Sequence, residues 1–511
     1  MTERMDWKKR VFSHIRDDLN NKVYVWGLIL LTLAAYGFTF AHVSYGIDDF
    51  GVRHYLDLSP ENHGNMLQQG RLIHILFYFV GGLVDVIPFL NNFLSAVLMT
   101  VSAVLFNGLF AAATDNRFNT FQKLTFLGFY ISYPLLAFKF IYDLDVLVTA
   151  LAYVCVALSL VFGFAFTETH KLRDGVAAAV LALLAIGSYE SFNALYICAV
   201  LLVFILLCIF KNYEAKRVWG NGFILAGILV ADLAVYYGVV KLLQTLTGNP
   251  AYSRYNIFSA NGSVVDIVKR VLKKLFNPAL LATVEFMVCI VLFIAVIVFF
   301  LIRKKRPLLL LLGFGFGVFL VIVNVIQASM LYRCCQAFNL FIAATALLVT
   351  ACLDKQKVLR ILSSAVAVIV LVLQLKDMNL WFYKDWTNYQ KNAHAIDCIA
   401  TDLYADYSVD SKPICFVNRD YSSFLMSWDE SMMQTEIGES PIVSSIRFLG
   451  DITSDATFQL FEYQAYDKLI HPTVEQVQKA QEYSASMPAY PTDGYIVELD
   501  DIIVVNMGKV N

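Results

Sequence analysis

Two adjacent aspartates, Asp48 and Asp49, follow the first long apolar segment of the chain, in the stretch SYGIDDFGVRHY (44–55). An aspartate held at the mouth of an apolar helix can act as a general base towards a hydroxyl group. On a short loop, one of two adjacent carboxylates can face the cavity while the other is braced. Arg53 can pair with Asp49 on a following helix, and His54 adjoins it. We therefore predict Asp49 as the catalytic base, with Asp48 as the alternative; a solvated helix cap is the non-catalytic explanation.

The composition indicates that these residues belong to a membrane protein. Apolar residues make up 58% of the 511 residues and charged residues 16%, whereas about 25% of an ordinary soluble protein is charged. The net charge of −2 gives no indication of a nucleic-acid partner. The first ten residues are polar, and no small-residue cleavage site follows the first apolar segment, so we predict that this segment is a retained helix.

Eleven apolar segments are candidate membrane spans, and all but 175–190 have the roughly 18 or more residues that a span takes. They comprise residues 23–43, 93–113, 121–141, 145–166, 175–190, 192–210, 219–242, 280–302, 308–329, 334–353 and 357–375. A twelfth segment, 72–90, contains two glycines, an aspartate and a proline, and it is expected to lie at the interface or to re-enter without crossing. The prediction is a mainly α-helical, polytopic membrane protein with about eleven transmembrane helices and interfacial helices in its external loops.

Basic residues flank the apolar segments on one side of the predicted bundle, which is therefore expected to be cytoplasmic. They lie in residues 8–16, 115–123, 170–174, 211–217, 303–307 and 354–357. Residues 1–22 then form a cytoplasmic amphipathic segment, which either lies on the inner leaflet or is a simple topogenic tail. Residues 23–375 form the membrane domain, and the part of the chain beyond it is predicted to be extracytoplasmic.

With this orientation, acids and arginines gather at the external ends of the spans, chiefly in the predicted external loop 44–92. We predict a substrate cavity there, formed by Arg53, His54, Arg71, Asp143, Asp145, Tyr189 and Glu190. Asp48, Asp49 and Asp143 could loosely hold a divalent cation, but no motif supports a metal site and no cofactor is predicted. Asp232 lies in mid-span, where a carboxyl group needs a partner or a water cavity; a structural hydrogen bond is the simpler explanation.

A second external loop, 243–279, contains the amphipathic sequence SVVDIVKRVLKKLF (263–276). Apolar residues occupy one helical face. The other face carries four basic residues, Lys269, Arg270, Lys273 and Lys274. Such a helix is suited either to anchoring at the outer headgroups or to holding the phosphate of a lipid-linked substrate.

Arg333 lies between two apolar segments, at the predicted outer end of a span. Its guanidinium can hold two oxygens of one phosphate group, but a terminal arginine can also simply snorkel to the headgroups. We predict that Arg333 is the main phosphate ligand and that the basic helix assists it.

Charged and polar residues return after residue 375, and residues 376–511 are predicted to form a small extracytoplasmic α/β domain. A helix is expected over 386–404, and strands are expected within 412–418, 440–449 and 494–508, the last as a pair turning at Asp500–Asp501. Cys398 and Cys415 could form a disulfide there. The domain contains no Gly-rich phosphate loop and no hydrolase motif, so an accessory or acceptor-facing role is expected.

The order and spacing of these motifs resemble the GT-C superfamily of membrane glycosyltransferases and, more narrowly, the bacterial glucosyltransferase II family associated with serotype conversion of surface polysaccharides. The resemblance is carried by IDD (47–49) with Arg53, QQGRLIHIL (68–76), YES (189–191), LYRCCQAF (331–338) and DWTNYQKNAHAIDCIA (385–400). It extends from about residue 20 to about residue 400. The family commonly has Gln after the Tyr of the YES motif, where this chain has Glu190.

This resemblance implies a GT-C-like fold in the bacterial inner membrane. The donor would be an undecaprenyl-phosphate hexose, in particular glucose, and the acceptor a growing or lipid-linked surface glycan. The reaction would be a single displacement with inversion at the anomeric carbon. A polyprenyl-phosphate glucose synthase and a flippase would act in the same pathway.

Two alternatives come from other protein classes. A secondary transporter also has about a dozen spans, but it should show repeats and broken helices with polar midplane sites, and no half-to-half repeat is evident. A non-catalytic scaffold or a glycan-polymer ligase is the other alternative. A ligase of that kind usually has one large external loop with His and Arg between late spans, rather than acids after the first span.

Overall fold

The computed structural model describes residues 6–44, 58–60, 65–81, 88–140, 143–250, 263–276, 281–326, 334–417, 458, 461, 466 and 469–507. Its helices are α1 (Trp7–Leu19), α2 (Lys22–Ala41), α3 (Leu72–Gly81), α4 (Pro88–Thr114), α5 (Thr120–Ile131), α6 (Ala137–Phe140), α7 (Asp143–Thr169), α8 (Leu172–Ser188), α9 (Phe192–Phe210), α10 (Ala215–Thr247), α11 (Val264–Leu275), α12 (Leu281–Lys304), α13 (Leu308–Ile326), α14 (Gln336–Leu353), α15 (Lys357–Asp406) and α16 (Val474–Ser484). Its strands are β1 (Ile414–Val417), β2 (Ile496–Glu498) and β3 (Ile503–Asn506). The prediction of a mainly α-helical, polytopic membrane protein is confirmed.

Nine helices within the described residues are long and apolar enough to cross a membrane. They are α2, α4, α7, α9, α10, α12, α13, α14 and the N-terminal part of α15. Two predicted spans differ. The apolar segment 121–141 is broken after the 12-residue helix α5, and Pro134 begins a 3-10 turn there, because proline cannot continue the helical hydrogen bonding. The predicted span 175–190 is the 17-residue helix α8, which is at the short end of the range of about 17–25 residues for a membrane-spanning helix and is not among these nine.

Helix α3 covers only the first part of the predicted non-crossing segment 72–90. Its 10 residues rise by about 15 Å, which is about half of the 30 Å hydrocarbon thickness. The next residues, 82–87, lie outside the described part of the chain, so the expectation that this segment does not cross stays a prediction.

The chain divides into two compact units. The first comprises Met1–Ala41, Tyr55–Phe140 and Asp145–Leu380. The second comprises His42–His54, Ile141–Leu144 and Trp381–Asn511. Within the first unit, α14 packs against α5, and α9 packs against α13. Aromatic side chains fill its centre: the Tyr130 ring lies 5.7 Å from that of Phe106 and 6.1 Å from that of Tyr153.

Helix α1 packs against α4 of the first unit. Its apolar residues Trp7 and Val11 are fully buried, and the Trp7 ring lies 4.9 Å from the ring of Phe164. The N-terminal segment, predicted to be an amphipathic helix or a topogenic tail, is thus an amphipathic helix that packs on the bundle.

Ion pairs join α1 to loops that were predicted to be cytoplasmic. Lys8 Nζ lies 2.6 Å from Asp174 Oδ1, and Lys123 Nζ lies 2.6 Å from Asp18 Oδ1. The guanidinium of Arg306 donates a 2.7 Å hydrogen bond to the carbonyl oxygen of Tyr213. Lys211 Nζ also lies 2.8 Å from Asp115 Oδ1, so the contacts together bring the basic loops 115–123, 170–174, 211–217 and 303–307 and the N-terminal helix to one end of the unit.

The second unit contains a three-stranded sheet of order β1–β3–β2. β3 pairs with β1 in parallel and with β2 antiparallel, so the predicted strand pair at the end of the chain is present. Ile503 and Val505 pack with the buried residues of the C-terminal part of α15. Val504 on the opposite face packs with Val477 and Ala480 of α16.

A further strand and a disulfide were also expected in this unit. The strand predicted within 440–449 lies outside the described residues. All nine cysteines lie within the described residues and none of them forms a disulfide, so the possible Cys398–Cys415 bridge is not seen.

Candidate active site

Four of the predicted cavity residues lie together in the first unit: Arg71, Asp145, Tyr189 and Glu190. Each is at or beside a helix end: Arg71 precedes α3, Asp145 is in the first turn of α7, and the other two connect α8 to α9. The remaining predicted residues Asp48, Asp49, Arg53, His54 and Arg333, and the side chain of Asp143, lie outside the part of the chain that the structure describes.

Arg71 and Asp145 form a buried ion pair. Nη1 of Arg71 donates to both carboxylate oxygens of Asp145, each at 3.0 Å. The side chain of Arg71 is 16% exposed and that of Asp145 is 6% exposed, so water screens the pair only weakly. The carboxylate therefore fixes the orientation of the guanidinium.

His74, one helical turn after Arg71, approaches the same carboxylate. Its Nε2 lies 3.0 Å from Oδ1 of Asp145, and its side chain is fully buried. Burial lowers the pKa of His74, although the neighbouring carboxylate of Asp145 acts in the opposite direction. Asp145 is thus held between a guanidinium and an imidazole, which limits its rotation.

Tyr189 lies against two cationic side chains. The Arg71 guanidinium carbon is 4.8 Å from the centre of the tyrosine ring, and Nζ of Lys139 is 3.8 Å from it. Lys139 belongs to the short helix α6 and is buried. The negative face of an aromatic ring attracts cations. The ring therefore brings two positive charges close to one another in a buried environment.

A second set of contacts holds the turn before Arg71. Gly70 has φ +75°, and a Cβ placed there would lie 2.5 Å from the hydroxyl oxygen of Tyr236. That hydroxyl donates a 3.0 Å hydrogen bond to the carbonyl oxygen of Gly70 and lies 3.4 Å from Oε1 of Glu190. Burial raises the pKa of Glu190, against the effect of hydrogen bonds from Tyr236 and Tyr237.

Amide side chains attach the same turn to the C-terminal end of α10. Oδ1 of Asn249 accepts from Nδ2 of Asn65 at 2.9 Å and from Nε2 of Gln68 at 3.0 Å. Nε2 of Gln244 donates to the carbonyl oxygen of Leu67 at 3.1 Å. The loop that presents Arg71 is therefore fixed by buried hydrogen bonds on the side facing α10.

The predicted basic helix is present as α11. Its residues Ile267, Val271 and Leu275 are buried, and the helix packs against α13. The four basic residues have mostly exposed side chains: Lys269, Arg270 and Lys273 are exposed and Lys274 is half-buried. Its amphipathic character is confirmed, whereas its role in phosphate binding stays a prediction.

Sequence reasoning did not single out His74, Lys139, Gly70 or Tyr236. His74 and Gly70 lie inside the motif QQGRLIHIL (68–76), which was noted for its resemblance rather than for its chemistry. Lys139 is a lysine within an apolar segment, which is a signal of function by itself. Tyr236 lies one helical turn from Asp232, whose buried Oδ2 has no hydrogen-bond partner among the described residues; the predicted structural bond is not seen at that oxygen.

The arrangement suits an anionic ligand. The carboxylate of Asp145 fixes the guanidinium of Arg71, and the ring of Tyr189 contacts both that guanidinium and Lys139. Amide side chains hold the loop that precedes Arg71. Phosphate esters are bound well by such oriented cations, because a guanidinium can donate two parallel hydrogen bonds to them.

Residues 37–350 match the glucosyl transferase GtrII family. The chain belongs to this family. All members of the Arg71 cluster fall inside the matched region, as do Asp48, Asp49 and Arg333 by residue number. A comparison with curated proteins finds no match.

Membership of the GtrII family makes the chain a glycosyltransferase and favours that activity over the transporter and ligase alternatives. The matched region ends within α14, so all of α15 and the sheet lie outside the part of the chain that the family match covers. The Arg71 cluster is therefore built within the portion of the chain that carries the family identity.

Proposed function

We propose that the chain transfers glucose from a polyprenyl-phosphate donor to a cell-surface or lipid-linked glycan at the outer face of the bacterial inner membrane. The buried Arg71–Asp145 pair beside Tyr189 and Lys139 is the observation that carries this proposal. It lies in the membrane unit of a glucosyl transferase and has the chemistry needed to hold a lipid-linked phosphate.

In the proposed step, the oxygen of an acceptor hydroxyl forms a bond to the anomeric carbon while the bond from that carbon to the phosphate oxygen breaks. The hydroxyl proton passes to Asp49 or Asp48, and the electron pair of the broken bond stays on the departing phosphate. Attack from the opposite face inverts the anomeric configuration. No metal or cofactor is part of this step.

Cations favour this step because charge builds up on the phosphate. A donor phosphodiester carries about one negative charge, and the departing monoester approaches two. Fixed cations stabilise that increase without reorganising, and the effect is strong where water is excluded. Arg71 and Lys139 are the proposed phosphate ligands among the described residues. Arg333 is proposed to join them, and the basic residues of α11 are proposed to guide the donor.

The placement of charged residues supports the proposed orientation. Asp145 is in the first turn of α7, and the last residue of the same helix, Thr169, precedes the basic loop 170–174. The Arg71 cluster and the basic loops therefore lie at opposite ends of this helix. If the basic loops are cytoplasmic, the cluster faces outward, where a flipped donor is presented. Residues 376–511 are proposed to lie on that outer side.

Reconstitution tests the proposal. Purified protein in lipid nanodiscs receives polyprenyl-phosphate glucose and is assayed for glucose transfer to an added glycan or for slow release of free glucose. Asp48→Asn and Asp49→Asn keep the side-chain shape but remove the proton acceptor. One of them should abolish turnover while leaving donor binding intact. The general-base assignment is wrong if both variants transfer glucose at the wild-type rate.

The proposed donor class is wrong if wild-type protein binds polyprenyl-phosphate glucose but does not turn it over with any surface glycan. The anomeric configuration of the product, read by NMR, tests inversion separately.

A further inference from the structure

Asp385 is a buried carboxylate that the proposed reaction does not use. It lies in α15 and is 7% exposed, and it is the first residue of the motif DWTNYQKNAHAIDCIA (385–400). Its Oδ2 accepts a hydrogen bond from the hydroxyl of Ser44. Both residues belong to the second unit, although 340 residues separate them along the chain.

A second contact lies beside the first. The rings of His42 and Trp386 are 4.8 Å apart and meet edge to face at 78°. The chain leaves α2 at Ala41, so the first residues after this helix are attached to α15 at two neighbouring points. A hydroxyl bond to a carboxylate and an aromatic pair are both directional interactions, and together they fix the course of the backbone.

The attached segment leads directly to the aspartates that are proposed as the catalytic base. Four residue steps separate Ser44 from Asp48, and an extended chain covers at most about 3.6 Å per residue. The chain between these two residues is therefore at most about 14 Å long. Movement of Ser44 is thus transmitted over a short length of chain.

We infer that Asp385 is a positioning residue for the acidic loop: through Ser44, it fixes where the loop begins and hence where the base is placed. This inference rests on the proposed function, because it assigns a purpose to holding that loop. It also gives a role to the motif that begins at Asp385.

A double-mutant cycle tests the inference. Ser44→Ala and Asp385→Ala each remove the same bond, so each should lower kcat at least about tenfold, the equivalent of roughly 1.4 kcal/mol, with the KM for the donor changed less than about twofold. The double variant should be no slower than the slower single variant. Ser44→Thr retains the hydroxyl and Asp385→Asn retains an acceptor oxygen, so both should recover most of the turnover.

Tyr495→Phe is the matched control. It removes another hydroxyl–carboxylate bond of the second unit, in which Tyr495 donates to Asp402 at 2.6 Å, and it should leave kcat unchanged. Membrane yield and melting temperature of every variant show whether it folds. Should Asp385→Ala fail to fold, the comparison of Ser44→Ala with Ser44→Thr still decides the question.

Wild-type turnover in Ser44→Ala, or losses that multiply in the double variant, would overturn the inference. So would a Tyr495→Phe variant as slow as Ser44→Ala, because the effect would then be a general weakening of the unit. The proposed function fails on different variants, Asp48→Asn and Asp49→Asn, so the two failures are distinguishable.

Discussion

Replacing Asp145 by asparagine tests whether the buried ion pair serves stability, catalysis or both. The change keeps the size and one acceptor oxygen of the side chain but removes the buried carboxylate charge that pairs with Arg71. Two unit charges 4 Å apart interact by about 4 kcal/mol at an effective dielectric constant near 20, and the pair is closer, at 3.0 Å. Breaking a buried pair typically costs about 3–5 kcal/mol. We expect Asp145→Asn to lose at least about 3 kcal/mol of unfolding free energy.

A double variant separates the two roles. Arg71→Leu/Asp145→Leu removes both charges, and an apolar pair of similar size often replaces a buried ion pair without loss of stability. We therefore expect the double variant to be more stable than Asp145→Asn. Glucose transfer should nevertheless remain about 10²–10³-fold below wild type, as is typical when one group that stabilises charge in the transition state is removed.

The assay needs two measurements on the same preparation. Unfolding in detergent is followed by tryptophan fluorescence, and initial rates of transfer are measured in nanodiscs with saturating donor. Recovery of both stability and transfer in the double variant would refute the proposed role of Arg71 and leave the pair as a structural element. An Asp145→Asn variant as stable as wild type would refute the premise that the pair is buried and weakly screened.

Three further predictions concern other parts of the chain. Gly70→Ala should cost more than about 1–2 kcal/mol, the usual penalty for a left-handed conformation, because the new methyl group also collides with the hydroxyl of Tyr236; a melting curve equal to wild type would contradict this. The raised pKa of Glu190 means that the folded state favours the protonated acid, so its contribution to stability is lost as pH rises above its usual value of 4.5. The melting temperature of Glu190→Gln relative to that of wild type should therefore rise as pH increases from 4.5. A difference in melting temperature that does not change with pH would contradict this explanation. A cysteine at the exposed position Ser411 should react with an impermeant thiol reagent in intact cells after native thiols are removed, and one at Lys305 should not; labelling at Lys305 would reverse the proposed orientation.

Sorting polar residues by their predicted side of the membrane was enough to group Arg71, Asp145, Tyr189 and Glu190. Each lies next to an apolar segment that hydropathy detects. The basic loops at the other ends of these segments predict which ends face the same side of the membrane. The sequence could not show which atoms meet. The contact of His74 with Asp145 joins different helices, and nothing in the local pattern of either helix specifies it.

The break within the apolar segment 121–141 shows a different limit of prediction from sequence. Hydropathy measures how apolar a segment is, not whether its backbone is continuous, and this segment is apolar throughout. Pro134 was visible in the sequence and is the physical reason for the break. The packing of helix α1 on the bundle could not be predicted either. An amphipathic pattern shows that one face of a helix is apolar, but not whether that face contacts lipid or protein.

Helix α1 can complete its contacts only after about the first third of the 511-residue chain has been made. Lys8 pairs with Asp174 and Trp7 lies against Phe164, so the ribosome must have passed residue 174 before the helix can reach its final place. Until then, the contacts of Lys8 with Asp174 and of Trp7 with Phe164 cannot form, although α4, on which α1 also packs, is already made. A bulky fusion at the N-terminus would obstruct this delayed docking rather than the insertion of the spans. Such a fusion protein would reach the membrane with its helices inserted, yet with one end of the bundle left open.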